Sequence, residues 1–209
     1  MHVYATQFTA LNNSGVDGYA LLVADEKSQT VTVHIRADGL EPGQVHAQHV
    51  HGFADDTDAK SPTVAQDADR DGFVELAEGL ATYGPIQLNL TTESGDPAQF
   101  TGMMGIAFPT ADADGKLRYT ETFRFDRSDP DQRMVFENIT PLENKEIVLH
   151  GLTVQGGSGD GTMGEVDGSG GYKAVLPVAS GELREVDYGA LLHNAMSYGH
   201  ADGWLFGAA

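Results

Sequence analysis

In Gln48-His49-Val50-His51-Gly52 two histidines alternate with an apolar residue. Strand side chains alternate faces, so an extended backbone here sets both imidazoles on one side, Cβ atoms about 7 Å apart, within reach of one metal ion. A third donor must come from elsewhere in the chain. His150 is the candidate, because it closes the apolar run Ile147-Val148-Leu149 just ahead of Gly151. Imidazole suits copper and zinc, and three histidines leave one coordination position open. The other five histidines read differently. His2 and His34 are expected to face solvent. His46 falls on the opposite strand face from His49 and is expected to pack or to hydrogen-bond a ligand. His193 and His200 lie in the tail, where folding back over the site would add a ligand or a cover.

A second constellation is acidic. Asp67-Ala68-Asp69-Arg70-Asp71-Gly72-Phe73-Val74-Glu75-Leu76-Ala77-Glu78 fills the twelve-residue EF-hand loop pattern at every defining position. A hard cation takes six to eight oxygens. Asp67, Asp69 and Asp71 would supply carboxylates from alternate positions, Gly72 the sharp turn, Phe73 its carbonyl, Glu75 a direct or water-mediated contact and Glu78 a bidentate carboxylate, with Val74 pointing inward. Ser61-Pro62-Thr63 stands too close in front for a full entering helix, and Gly79 follows at once, so an isolated loop with a structural calcium ion is expected rather than a paired sensor.

These residues need a scaffold. Thr30-Val31-Thr32-Val33-His34-Ile35-Arg36 alternates apolar and polar side chains as a half-buried strand does. Short runs at 3–9, 19–24, 45–51, 86–91, 117–125, 133–137, 146–150 and 172–178 look alike and are separated by turn residues such as Asp17-Gly18, Asp114-Gly115 and Ser128-Asp129-Pro130. The pattern predicts an all-β fold, an antiparallel Greek-key sandwich or barrel with long loops. It covers residues 1–180 and carries the calcium loop in an insertion at about 52–80. Tyr188, Leu191, Leu192, Ala195 and Tyr198 recur near helical spacing, predicting a tail over 181–209 that is helical and packs on the barrel. Gln155-Gly156-Gly157-Ser158-Gly159 opens a Gly-dense connection that lacks the phosphate-binding Gly-Lys-Ser/Thr ending.

At 209 residues with 40% hydrophobic content the chain can bury a core. Its 12 Lys and Arg against 31 Asp and Glu give a net charge of −19, which repels phosphate backbones and anionic lipid surfaces. Nucleic-acid and membrane partners are therefore not expected, and cations are. No cysteine is present, so neither disulfides nor thiolate metal sites can form.

The segment Gly39-Leu40-Glu41-Pro42-Gly43-Gln44-Val45-His46-Ala47-Gln48-His49-Val50-His51 resembles the stretch leading into the copper site of copper-zinc superoxide dismutases. Val148-Leu149-His150 is similar to that family's strand with the late copper ligand, and Gly170-Gly171-Tyr172-Lys173-Ala174 to the approach to its last core strand. The resemblance implies a Greek-key barrel, copper bound by His49, His51 and His150, His46 as the buried structural histidine, and Lys173 near the place of the cation that attracts superoxide. The chain departs from the family in having no histidine over 52–149, so the family's zinc site has no ligands; the calcium pattern stands there instead. The chordin-type domains share the sandwich and the His-rich strand, and the chain resembles them also.

The expected function is that of a dismutase-like metal protein with a mononuclear copper or zinc site and a structural calcium loop, acting on superoxide or another small oxidant. Two alternatives stand beside it: a zinc-dependent hydrolase or lyase, and a non-enzymatic calcium-stabilised copper-binding module. The partners are metal ions and a small-molecule ligand or oxidant. An extracytoplasmic location after removal of a signal peptide is expected, because such calcium loops work where calcium is abundant. The sequence leaves the number of subunits open, a dimer included.

Overall fold

The computed structural model describes residues 1–55, 57–93, 97, 107–159 and 166–187. Its described strands are β1 (His2–Gln7), β2 (Thr9–Ala10), β3 (Asp17–Asp25), β4 (Thr30–Asp38), β5 (Gln48–His51), β6 (Ile86–Asn89), β7 (Leu117–Arg124), β8 (Glu146–Val154), β9 (Gly171–Glu182) and β10 (Arg184–Glu185). They form two antiparallel five-stranded sheets, ordered β10-β1-β3-β4-β7 and β2-β9-β8-β5-β6, and neither sheet closes on itself. The alternation in β4 works as anticipated. Val31, Val33 and Ile35 are fully buried, each contributing about 1.5–3 kcal/mol by leaving water, while Thr32 and His34 pair across the strands with Thr122 and Thr120 on the other face. Ala20, Leu22 and Phe123 of the first sheet and Val50, Leu88, Ile147 and Leu149 of the second join one apolar cluster.

The second sheet sets up the chemistry. His49 lies opposite Val148 and His51 opposite Glu146, and directly opposed residues point to the same face. One face of this sheet therefore gives Val50, Ile147 and Leu149 to the core, and the other carries His49, His51, Glu146 and His150. The chain between β5 and β6, which contains the acidic loop, supplies a cover for that outer face.

Among the described residues, two helices depart from the strand pattern expected over 1–180. Residues 133–137, expected as a strand, belong to α2 (Pro130–Ile139). Asp129 caps it, its Oδ1 accepting from the N–H groups of Asp131 and Gln132, and Pro130 takes the first turn, where a missing N–H is harmless. The acidic loop is also followed by a helix after all, α1 (Leu76–Tyr83), which runs through Gly79. A Cβ at Gly79 would lie 2.3 Å from the Tyr83 ring, so glycine is what lets that ring fold back along the helix. In front of the loop, Val64–Gln66 makes a 3-10 turn capped by Thr63. The strand expected over 45–51 starts only at Gln48, with Val45 in a lone bridge to Thr110. Of the expected tail, residues 181–187 finish β9 and form β10 against β1. The helix expected beyond, with His193 and His200, lies outside the described residues.

Candidate metal centres

His49, His51 and His150 converge. Ring centroids are 4.9 Å apart for His49 and His150, 5.5 Å for His49 and His51, and 6.0 Å for His51 and His150, and one nitrogen from each lies within 4.8 Å of the others. All three side chains are fully buried. The backbone decides which nitrogen faces inward. His51 Nδ1 is 2.8 Å from the Gly84 carbonyl oxygen and His150 Nδ1 is 2.7 Å from that of Val175. A carbonyl only accepts, so each Nδ1 carries the proton and each Nε2 keeps a lone pair. Both Nε2 atoms, and both ring nitrogens of His49, meet no hydrogen-bond partner among the described residues. Leaving a buried polar atom unsatisfied costs about 1–3 kcal/mol, and a metal ion is the group that one lone pair from each of the three rings satisfies. The donor set therefore fits copper or zinc.

Burial also keeps these rings neutral. The His49 imidazole is held well below its ordinary value by burial and then by the neighbouring His150 and His51. Burial, with His150 beside it, brings His51 down to about 3, and burial brings His150 to about 4 against the Val175 hydrogen bond. Lone pairs thus stay available under mildly acidic conditions. Tyr83 stands over His51 at 4.5 Å and Phe108 meets His49 edge-on at 5.3 Å, which walls the group with apolar surface.

His46 stays out of the cluster and grips its support. Its Nδ1 is 2.8 Å from the carbonyl oxygen of His150 itself, and its ring meets Tyr172 edge-on. Gly151, beside a shift in the β8–β9 register, leaves no room for a side chain, since a Cβ there would sit 1.9 Å from the Tyr172 hydroxyl. Lys173 is engaged in the Gly-rich connection, its Nζ donating to Asp167 at 2.7 Å and to Ser169 at 2.8 Å. His2 pairs with Glu185 at the surface, and His34 likewise faces outward.

The acidic loop curls as its pattern predicts. Gly72 has φ +95° and donates its N–H to Asp67, while Asp71 and Phe73 donate theirs to Asp69 and Asp71. Asp67, Asp69 and Asp71 bring carboxylate oxygens within 4.8 Å of one another, and so do Asp69, Glu75 and Glu78. Phe73 packs beside Val154, Val166 and Leu176. Glu75 is fully buried, with Oε1 accepting from the Val166 N–H and Oε2 unpartnered among the described residues. Burial raises it to about 7, reinforced by the charges of Asp71, Asp69 and Glu78 and opposed by the Val166 N–H. Oε1 of Glu78 accepts from Ala68 N–H at 2.6 Å and Oε2 from Glu75 N–H, tying the last loop residue to the first turn. Val74 is buried, and Asn12 clamps it by accepting from its N–H and donating to its carbonyl and to that of Pro177.

Gly84, Val175, Tyr83, Phe108 and Asn12 are the site residues that sequence reasoning missed. Asn12 stands out locally only as part of an Asn-x-Ser triplet, and nothing near it points to a loop 62 residues on. No protein-family model and no curated protein matches the chain.

Proposed function

We propose that this chain is a dismutase-like transition-metal protein, a Greek-key sandwich that holds one copper ion, or zinc in its place, at His49, His51 and His150 and acts on superoxide or another small oxidant. The observation that carries the reading is the set of four ring nitrogens, buried and unpartnered, on three converging imidazoles. Bound copper would supply one-electron redox chemistry. The protein's part is to present neutral donors, through Nε2 at His51 and His150, to fix their tautomers by the Gly84 and Val175 carbonyls, and to exclude bulk water with Phe108 and Tyr83. The resemblance around His46–His51 and at His150 supports the same reading, and the calcium loop supports an extracytoplasmic home.

One observation favours a second reading, a copper-holding module without turnover. The imidazoles are wholly buried and the Lys173 ammonium is already matched by Asp167, so Lys173 is not a free cation to draw an anion toward a protein of net charge −19. Elemental analysis after copper loading, followed by superoxide decay, separates the two. The expected result is one copper per chain and decay faster than with the same amount of free copper. Stoichiometric copper without acceleration selects the holding module. Copper retained in full by the His49→Ala/His51→Ala double variant overturns both.

A further inference from the structure

Helix α1 runs from the acidic loop to the three-histidine cluster. Its first residue, Leu76, follows Glu75, and its last, Tyr83, lies against His51. At about 1.5 Å per residue the eight residues of α1 span roughly 12 Å. The Tyr83 hydroxyl donates to the Leu76 carbonyl at 2.9 Å, binding the far end of the helix to its start. Gly84, which caps α1, gives its carbonyl to His51. A second link runs through the sheet. Asn12 joins Val74 of the loop to the carbonyl of Pro177, and Pro177 is the β9 partner of His150.

The loop is built for a divalent cation on more than acidity. Glu75 is fully buried with its Oε2 unpartnered among the described residues, one of its carboxylate oxygens lies within 4.8 Å of oxygens of Asp69 and Glu78, and Asp67 and Asp71 each bury one unpartnered oxygen as well. Five carboxylates drawn together in this way repel one another unless a cation bridges them. Whatever holds Glu75 and Glu78 in place holds the start of α1, because both belong to its N-terminal cap.

We infer that Ca2+ bound by Asp67, Asp69, Asp71, the Phe73 carbonyl, Glu75 and Glu78 fixes α1 and, through Tyr83 and Gly84, sets His51 in its metal-ready orientation, so that calcium raises the affinity of the three-histidine cluster for a transition metal. The inference rests on the three-histidine reading given above. Linkage makes it reciprocal: copper or zinc raises calcium affinity by the same factor.

Two measurements on the full chain, freed of metals by chelator and then desalted, test it. First, Ca2+ alone is added while the imidazole resonances of His51 are followed by NMR. A saturable shift of His51 is expected in the complete absence of transition metal, and in Asp67→Asn/Asp69→Asn that shift is lost at the same calcium concentration. Second, Zn2+ is titrated calorimetrically without and with saturating Ca2+, and the affinity is expected to rise about 5- to 150-fold. In Tyr83→Leu, which alters no ligand, calcium still binds and the rise falls to less than half on the logarithmic scale. Absence of calcium binding, or an unmoved His51 with equal zinc affinities in both titrations, overturns the coupling while leaving the three-histidine site standing. Failure of zinc to bind in either titration instead removes the three-histidine reading, and the coupling with it.

Discussion

Glu146 lies across from His51 on the outer face of the second sheet, fully buried. Both Ser61 and Ser180 donate their hydroxyls to its Oε1, and Oε2 has no partner among the described residues. Burial raises this carboxyl to about 7, with Glu182 and Asp58 adding to the shift and the two serines opposing it. The folded state thus prefers the protonated acid. Its stabilising contribution is complete below the ordinary carboxyl value of 4.5 and is lost as pH rises through about 7. Glu146→Gln keeps the acceptor for both serines and removes the charge. Urea unfolding of the variant is expected to match wild type at about pH 4 and to exceed it by up to about 3 kcal/mol near pH 8.5; equal midpoints at both pH values would count against the shift.

What could be read at this scale is the part that follows local geometry. His49 and His51 share a face because strands alternate, and the loop carboxylates converge because their spacing matches a curl that Gly72 permits. The unread part is non-local. Tyr83, Gly84 and Val175 decide tautomer and orientation through contacts made only after the sheet has formed, and Asn12 reaches the loop from 62 residues upstream.

At the scale of elements, the two helices illustrate opposite errors of inference. In α2 the segment Arg133-Met134-Val135-Phe136-Glu137 mimics a strand, yet the Asp129-Pro130 pair just ahead is a helix start, and Phe136 and Ile139 are the buried face. In α1 the interior Gly79 argues against a helix, because glycine costs about 1 kcal/mol there relative to alanine; the packing of Tyr83 outweighs that cost. Gly79→Ala should therefore destabilise the protein despite its better propensity, and should weaken zinc binding more than calcium binding by displacing Tyr83 from His51. A variant as stable as wild type with unchanged zinc affinity would show that the ring does not depend on this gap. Asp129→Ala serves as the remote comparison: loss of the cap should cost about 1 kcal/mol, read by thermal unfolding, with both metal affinities unchanged.

At the scale of the molecule, the two sheets share one apolar cluster, and on the outer face of the second the inserted segment brings Ser61 to Glu146 and Tyr83 to His51. That the chain is mostly antiparallel strand was legible from alternation and turn residues, since each strand repeats the same local rule. How the sheets pair was not, because neighbours such as β5 and β8 are separated by nearly a hundred residues with no local mark of partnership. Calcium should act on the whole cooperative unit. With calcium at about a hundred times its dissociation constant, mass action adds about 2.7 kcal/mol, and for a chain of this size the thermal midpoint should rise by roughly 5–10 °C over chelator-treated protein. Coincident midpoints in the two conditions would sink the expectation.

The cysteine-free composition gives the three-histidine cluster a further meaning. Coordination of His49, His51 and His150 by one ion would staple together chain segments about a hundred residues apart, the span over which a disulfide contributes roughly 4.7 kcal/mol by restricting the unfolded chain. Thiol–disulfide exchange cannot undo such a staple, but chelation can. Stripping the metal should shorten the protein's survival among proteases, making durability in a degradative environment a matter of metal supply.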